Sequence, residues 1–316
     1  MSNAAGPIAD LSYRTYGGIL QPPTQRWKVI AREGIRRTFK NKWYWWCLLF
    51  GGWYFGVMTI ALFVVDQLMQ SGGRDAQQAL SRLGAINWSA QFLHGFSYGQ
   101  LFFMFVAMIA GAGAIANDNR ANALLVYLSK PCTKKDYLIG KWVGVFIPVV
   151  TAMLLPALIF YLYGALNYRD YGFLADDPWL ILRVLLIAGL ASAFHASLVL
   201  GVSSLFNQGR MANMTYVGVY FITYMVTVVI GIIVETTHSA SGWLTQSLFY
   251  CSIDGVNIGV AKIILNLDSP PLFMGGGNGF SVDRPSPILA FGLLFGLSAI
   301  ALRLVWKRVR AVEVVG

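Results

Sequence analysis

Residues 142–166 read WVGVFIPVVTAMLLPALIFYLYGAL and contain no charged side chain over 25 positions. An α-helix rises about 1.5 Å per residue, so about 20 apolar residues in a row cross the roughly 30 Å hydrocarbon core of a bilayer. The segment therefore has the length and composition of a transmembrane helix.

Five further segments share this character, so six transmembrane helices are expected. Of the 316 residues, 56% are hydrophobic and only 12% are charged, and the mean hydropathy is +0.58. A soluble domain of this size has too little interior to bury so much apolar surface. The sequence predicts an all-α membrane protein with a six-helix domain over 43–306 and spans at 43–65, 92–116, 142–166, 179–206, 211–234 and 287–306.

The basic residues are distributed unequally between the two sides of these spans. One side carries 18 of the 24 Lys and Arg residues, whereas the other carries nine of the 14 acidic residues. Loops rich in Lys and Arg stay in the cytoplasm, so both termini are predicted to be cytoplasmic. Topology and attraction to anionic membrane lipid explain the net charge of +10, and no nucleic-acid partner is expected.

Two basic segments on this side are predicted to be helical. Residues 26–42 follow a cytoplasmic tail (1–25) and form an amphipathic helix at the membrane interface. In the loop after the second span, Asn117 and Asp118 can cap a short helix over 121–128, which Pro131 ends. The chain closes with a second cytoplasmic tail, residues 307–316.

The loop between the fifth and sixth spans has an unusually apolar middle. Its runs 243–253 and 256–267 are too short, and too interrupted by polar residues, to cross the membrane singly. They predict two short external helices that dip into the outer leaflet or lie on it, where protein covers their ends.

Motifs for ATP and metal binding are not recognised in the chain. The pair Gly140–Lys141 lacks the upstream glycine of a phosphate-binding loop and is followed by Trp142, so no ATP site is expected. The three cysteines lack ligand spacing, which argues against a metal site or a disulfide framework. We expect no catalytic residue and no cofactor on this chain.

His195 is the most notable polar residue at membrane depth, and Ser192 and Ser197 lie near it in sequence. A buried histidine bonded to a neighbouring helix is the favoured interpretation. An intramembrane enzyme that uses His195 is the alternative.

A polar stripe runs along the fifth span, where three tyrosines recur at every fourth residue. It either borders a translocation path or bonds its hydroxyls across the helix bundle. Its members are Tyr216, Tyr220 and Tyr224, with Thr223 and Thr227 beside them.

Three local segments resemble the membrane subunits of type-2 ABC exporters, the ABC-2 permeases. They are GAIANDNR (113–120), LLVYLSKP (124–131) and DYLIGK (136–141). The overall layout from residue 26 onward is similar to this family as well, with its basic interfacial helix, its cytoplasmic helix between spans two and three, and its external helices.

The resemblance implies a permease of a bacterial inner membrane that exports an unidentified substrate. A separate cytoplasmic ABC ATPase would bind ATP and Mg, and a second copy or a homologue of the permease would complete the transporter. A membrane anchor or mechanical subunit with the same fold is the alternative. Coupling to the ATPase is assigned by resemblance to Asp118, Arg120, Leu124, Tyr127, Leu128, Ser129, Pro131, Lys134 and Lys135.

Overall fold

The computed structural model describes residues 25–70, 86–123, 132–169, 173–175, 177–237, 247–248, 250–267 and 284–309. Ten helices have defined bounds within these ranges. They are α1 (Arg26–Phe39), α2 (Lys42–Gly51), α3 (Trp53–Gln70), α4 (Trp88–Gly111), α5 (Ala116–Arg120), α6 (Lys134–Asn167), α7 (Leu180–Ser204), α8 (Gly209–Thr237), α9 (Ile253–Leu265) and α10 (Pro287–Arg308).

Five segments in the described residues are long and apolar enough to span a membrane. They are α4 together with α5, then α6, α7, α8 and α10, and the bent pair α2–α3 makes a sixth if it is one span. The predicted all-α membrane architecture is confirmed. α7 lies at the centre of the bundle. Within its most apolar stretch of 18 residues 67% are buried, whereas the corresponding shares are 17% for α8 and 22% for α10.

The first predicted span, 43–65, is not one helix. It divides at Gly52 into α2 and α3, which are inclined by 52° to each other. A Cβ on Gly52 would lie only 2.4 Å from Cβ of Pro156 in α6, so a larger residue does not fit there. The apolar pattern predicted the span but not this break, because hydropathy does not report close backbone contacts.

Two polar contacts hold the bent span against α6 on either side of the break. The Tyr44 hydroxyl of α2 donates to the carbonyl oxygen of Pro148, at 3.2 Å. At the far end of α3, Asp66 accepts hydrogen bonds from the hydroxyls of Tyr163 and Tyr168. Both halves of the span are therefore fastened to one long helix.

The helix that contains the third predicted span, 142–166, begins eight residues before that span. α6 begins at Lys134 because Thr133 and Asp136 form a reciprocal capping box, in which each side chain bonds the other residue's backbone N–H. Its 34 residues extend about 50 Å, beyond the hydrocarbon core. Lys134 and Lys135 therefore stand in a helical turn and not in a loop.

The connection before α6 also differs from the prediction. The second span, predicted at 92–116, is a helix only over 88–111, and α5 follows after a turn. The predicted helix over 121–128 does not begin at Ala121, because α5 ends at Arg120 and Asn122 has a left-handed φ of 48°. Residues 124–131 of this prediction lie outside the described ranges.

The predicted interfacial helix is α1, which ends at Phe39 and packs along the start of α6. Glycines permit the close approach: a Cβ on Gly140 would lie 2.7 Å from Cβ of Ile30, and one on Gly34 would lie 3.3 Å from Cα of Gly144. We call this end of the bundle, which holds α1, the start of α6 and the end of α10, the basic end.

The short helix α9 enters the bundle from the opposite end and lies inside it. Its last residues, with Asn266 and Leu267, line a cavity together with the start of α4. Asn257 in its second turn contacts Gln100, twelve residues along α4. The predicted re-entrant helix over 256–267 corresponds to α9 at 253–265, whereas residues 243–246 and 249 of the other, 243–253, lie outside the described residues.

Candidate functional site

A turn at the basic end joins α4 to α5, and a serine from another helix completes its hydrogen bonds. The hydroxyl oxygen of Ser203 in α7 accepts from the backbone N–H groups of Ile115 and Ala116, both at 3.1 Å. The same hydroxyl donates to the carbonyl oxygen of Ala112, at 2.7 Å. This bonding holds the turn on α7, and we call residues 112–120 the connector.

The helical part of the connector is also bonded to the turn between α7 and α8. The Asn117 side-chain oxygen accepts from the backbone N–H of Gly209 at 3.2 Å. The Asn119 amide donates to the carbonyl oxygen of Phe206, also at 3.2 Å. Movement of the connector would consequently displace the start of α8.

An ion pair joins the connector to α6. Asp118 lies 2.7 Å from the Lys141 ammonium, and both side chains are more than four-fifths buried. The Tyr137 hydroxyl donates to the same carboxylate at 2.8 Å, and Lys141 donates to the carbonyl oxygen of Ala114 at 2.8 Å. Three helices of the bundle, α6, α7 and α8, thus hold one short segment.

The predicted coupling residues fall into three groups. Asp118 faces inward to Lys141, while Arg120 and Lys135 are exposed at the surface of the basic end. Lys134 lies over the Trp306 ring of α10, with its ammonium 4.5 Å from the ring centre. The others, Leu124, Tyr127, Leu128, Ser129 and Pro131, lie outside the described residues.

Two hollows flank the connector. A cavity of about 110 Å³ lies between α1, the connector and α6, and is lined by Gly34, Gly113 and Lys141 among others. A more apolar cleft of about 260 Å³ separates α6 from α10 beside Lys135 and Trp306. The connector therefore has free space on two sides.

His195 lies at the centre of a second polar group, inside the bundle. Its Nδ1 is 2.8 Å from the Tyr216 hydroxyl, and its Nε2 is 3.1 Å from the Asn257 amide nitrogen. Both ring nitrogens therefore bond to neighbouring helices, which is the arrangement favoured from sequence.

The two neighbouring serines form hydrogen bonds with residues other than His195. Ser192 donates to the Met153 sulfur and Ser197 to the carbonyl oxygen of Ala193. No serine–histidine hydrogen bond is present among the described residues, so this geometry does not supply an activated serine.

Burial, reinforced by the charge of Asp136, raises the pKa of the Cys132 thiol before α6, although Arg26 opposes the shift.

The tyrosine stripe on α8 faces the bundle for half its length. Tyr216 and Tyr220 are buried, and the Tyr220 hydroxyl donates to Asp254 at 2.6 Å. Tyr224 and Thr223 are partly exposed, and the Thr223 hydroxyl bonds within α8. Thr227 is buried and donates to the carbonyl oxygen of Thr223.

The sequence interpretation missed several residues that the structure brings together. Ser203 and Lys141 had no signal that paired them with the connector, because their partners lie on other helices. Asp254 and Asn257 interrupt an apolar run, and a polar interruption at membrane depth indicates a specific site as readily as a surface location.

Comparison with known protein families agrees with this architecture. A family profile described as ABC-2 family transporter protein matches residues 28–253. No curated protein matches the chain. The profile covers more than half of the chain, from α1 to the first residue of α9. The chain therefore belongs to the ABC-2 family of transporter proteins and is a membrane-spanning transport permease.

Proposed function

We propose that this permease exports its cargo with the energy of ATP that a separate cytoplasmic ABC ATPase hydrolyses. ATP and Mg belong to that partner. In this arrangement the basic end and both termini lie in the cytoplasm of a bacterial inner membrane, in agreement with the positive-inside rule. The observation that carries the proposal is the connector, which is bonded to three transmembrane helices.

The contacts of the connector provide a route for mechanical coupling. An ATPase that binds the loop following the connector displaces α5. The Asp118–Lys141 ion pair then acts on α6, Ser203 acts on α7, and the Asn117–Gly209 bond acts on α8. The hollows beside the connector leave room for such a displacement.

The docking surface is proposed from the exposed charges and the loop. Arg120 and Lys135 orient the ATPase electrostatically, and apolar side chains such as Leu124 and Leu128 fill a groove on it. Tyr127, Ser129, Pro131 and Lys134 belong to the same proposed surface.

A second copy or a homologue completes the transporter in this proposal. The exposed face of α8, with Ile222 and Met225 more than half exposed, borders the passage for cargo. Thr223 and Tyr224 contribute polar groups to its wall. Tyr216, Tyr220 and Thr227 support that wall from within the bundle.

Co-purification tests the proposal. We expect a stoichiometric ATPase to accompany the tagged wild-type chain from mild detergent and to be lost in the Leu124→Asp/Leu128→Asp double variant. Leu166→Asp is the matched control, because Leu166 is 81% exposed at the opposite end. Equal recovery of the ATPase with the double variant, or none with wild type after crosslinking, would overturn the proposal.

A further inference from the structure

A carboxylate lies inside the bundle with half of its hydrogen-bonding capacity unused. Asp254, the second residue of α9, is only 7% exposed. Its Oδ2 accepts the 2.6 Å hydrogen bond from Tyr220, whereas its Oδ1 is buried and has no partner among the described residues. A buried polar atom left unsatisfied destabilises a protein, so such an atom needs an explanation.

The adjacent turn of the same helix presents a second atom of this kind. Asn257, three residues on, is 3% exposed, and the described part of the chain offers no partner for its Oδ1. Residues three apart lie on one face of a helix. Its amide nitrogen contacts Gln100 at 3.2 Å and His195 at 3.1 Å. This orientation turns the amide nitrogen toward the acceptor oxygen of Gln100 and leaves the amide oxygen as the atom that could bind a cation.

These groups lie near the middle of the apolar helices that contribute them. Gln100 is twelve residues from the start of α4, about 18 Å along that helix, and His195 is fifteen residues from the start of α7, about 22 Å along it. The hydrocarbon core is roughly 30 Å thick. A bilayer around these spans would therefore place the start of α9 far from bulk water.

The groups around Asp254 do not balance its charge. α8 contributes the hydroxyls of Tyr216, Tyr220 and Tyr224, α7 contributes His195, and α4 contributes the neutral amide of Gln100.

The ammonium group on α9 itself is directed elsewhere. Lys262 stands two turns further along the helix, and its Nζ contacts the Tyr250 hydroxyl at 3.2 Å. Ion pairs between described residues do not include Asp254.

An ionised carboxylate in such a place requires a compensating positive charge. The start of α9 supplies only about half an elementary charge through its dipole. We propose that Asp254 and Asn257 form a binding site for one monovalent cation, either a sodium-sized ion or a proton. A metal ion would be held by the two unpartnered side-chain oxygens, and a proton would bind Asp254 Oδ1.

The ligand set favours this class of ion over others. A single carboxylate balances one positive charge. Oxygen ligands select hard cations, and no group of three or more His, Cys, Asp or Glu side chains suited to a metal occurs in the described part of the chain. Cation binding at α9 depends neither on the cargo nor on the ATPase.

Thermal unfolding of the purified full chain in detergent tests the proposal. Tm is measured in sodium chloride and in choline chloride at equal ionic strength, at pH 8.5 and at pH 5.5. For a metal site, we expect sodium to raise the wild-type Tm by about 3 °C or more at pH 8.5. For a proton site, Tm rises by a similar amount as pH falls, whichever salt is present.

The Asp254→Asn variant lacks the charge that the cation balances, so its Tm should lose the response. Effects of titrating groups remote from α9 occur in both proteins and cancel in the difference. Asp66→Asn is the matched control and should keep the wild-type response, because tyrosine hydroxyls already satisfy both oxygens of Asp66. A wild-type Tm equal in all four conditions, or an equal response in Asp254→Asn, overturns the site.

A second variant tests the cation site if Asp254→Asn fails to fold. Asn257→Ser shortens one of the two side chains and should raise the half-saturating sodium concentration about tenfold for a metal site. For a proton site, it should shift the pH midpoint of the Tm change. A response identical to wild type in both titrations would contradict the assignment.

Discussion

The ion pair between the connector and α6 is the contact on which the coupling proposal depends most. Asp118 and Lys141 lie 2.7 Å apart, and two unit charges at that distance attract by about 6 kcal/mol at an effective dielectric constant of 20. Burial of more than four-fifths of each side chain offsets several kcal/mol of this attraction through lost hydration. We therefore expect a net coupling energy of about 1–3 kcal/mol.

A double-mutant cycle measures this energy. Asp118→Asn and Lys141→Met should each lower the free energy of unfolding by about 2–4 kcal/mol, since each leaves a buried charge without its partner. The double variant should lose less than the sum. Chemical unfolding of the purified variants in detergent provides the values.

A second ion pair serves as the control for this cycle. Asp177 and Arg183 are 2.8 Å apart at the opposite end, and Arg183 is 34% exposed. Solvent screens this pair more strongly, so its coupling energy should be about 0.5–1 kcal/mol. If the Asp118–Lys141 coupling is no larger than that of the control pair, the connector is not held to α6 in the way that the proposed mechanism requires.

Two further variants probe the same end of the bundle. Gly140→Leu should displace α1 and lower Tm, because Ile30 closes the space at Gly140. Gly189→Leu is the control and should leave Tm unchanged, because no atom lies within 4 Å of a Cβ at that position. Equal effects of the two substitutions on Tm would argue against tight packing of α1. Ser203→Ala should cost about 2–4 kcal/mol in the free energy of unfolding, because two backbone N–H groups lose their acceptor. Ser204→Ala is the control: it removes a hydrogen bond within its own helix and should cost less than about 1 kcal/mol in the same unfolding assay. A similar loss of stability in both variants would contradict the role of Ser203.

Hydropathy was sufficient to predict where most spans lie, because the bilayer requires a continuous apolar segment whatever the segment contacts. It could not predict the break at Gly52, which depends on how closely α6 approaches. Nor could it predict the depth of α9. The polar residues in that helix predicted a re-entrant helix that dips into the outer leaflet or lies on it, and did not predict that Asp254 and Asn257 are buried among protein side chains.

At the candidate site too, the sequence predicted individual residues but not the residues that they contact. Asp118 was identified through a resemblance of short motifs, which suggested a surface role. Its actual partner, Lys141, lies 23 positions later in the sequence, and Ser203 lies on another helix. Contacts between distant positions are set by the packing of helices, for which local residue patterns carry no information.

The bent first span touches α6 at three heights, at Pro148, at Pro156 and at Tyr168. These three attachments oppose sliding and rotation of the first and third spans past each other, since either movement would break them. A conformational change that tilts α6 therefore carries the first span with it. Relative displacement within the protein must then fall between this pair of spans and the less enclosed helices α8 and α10.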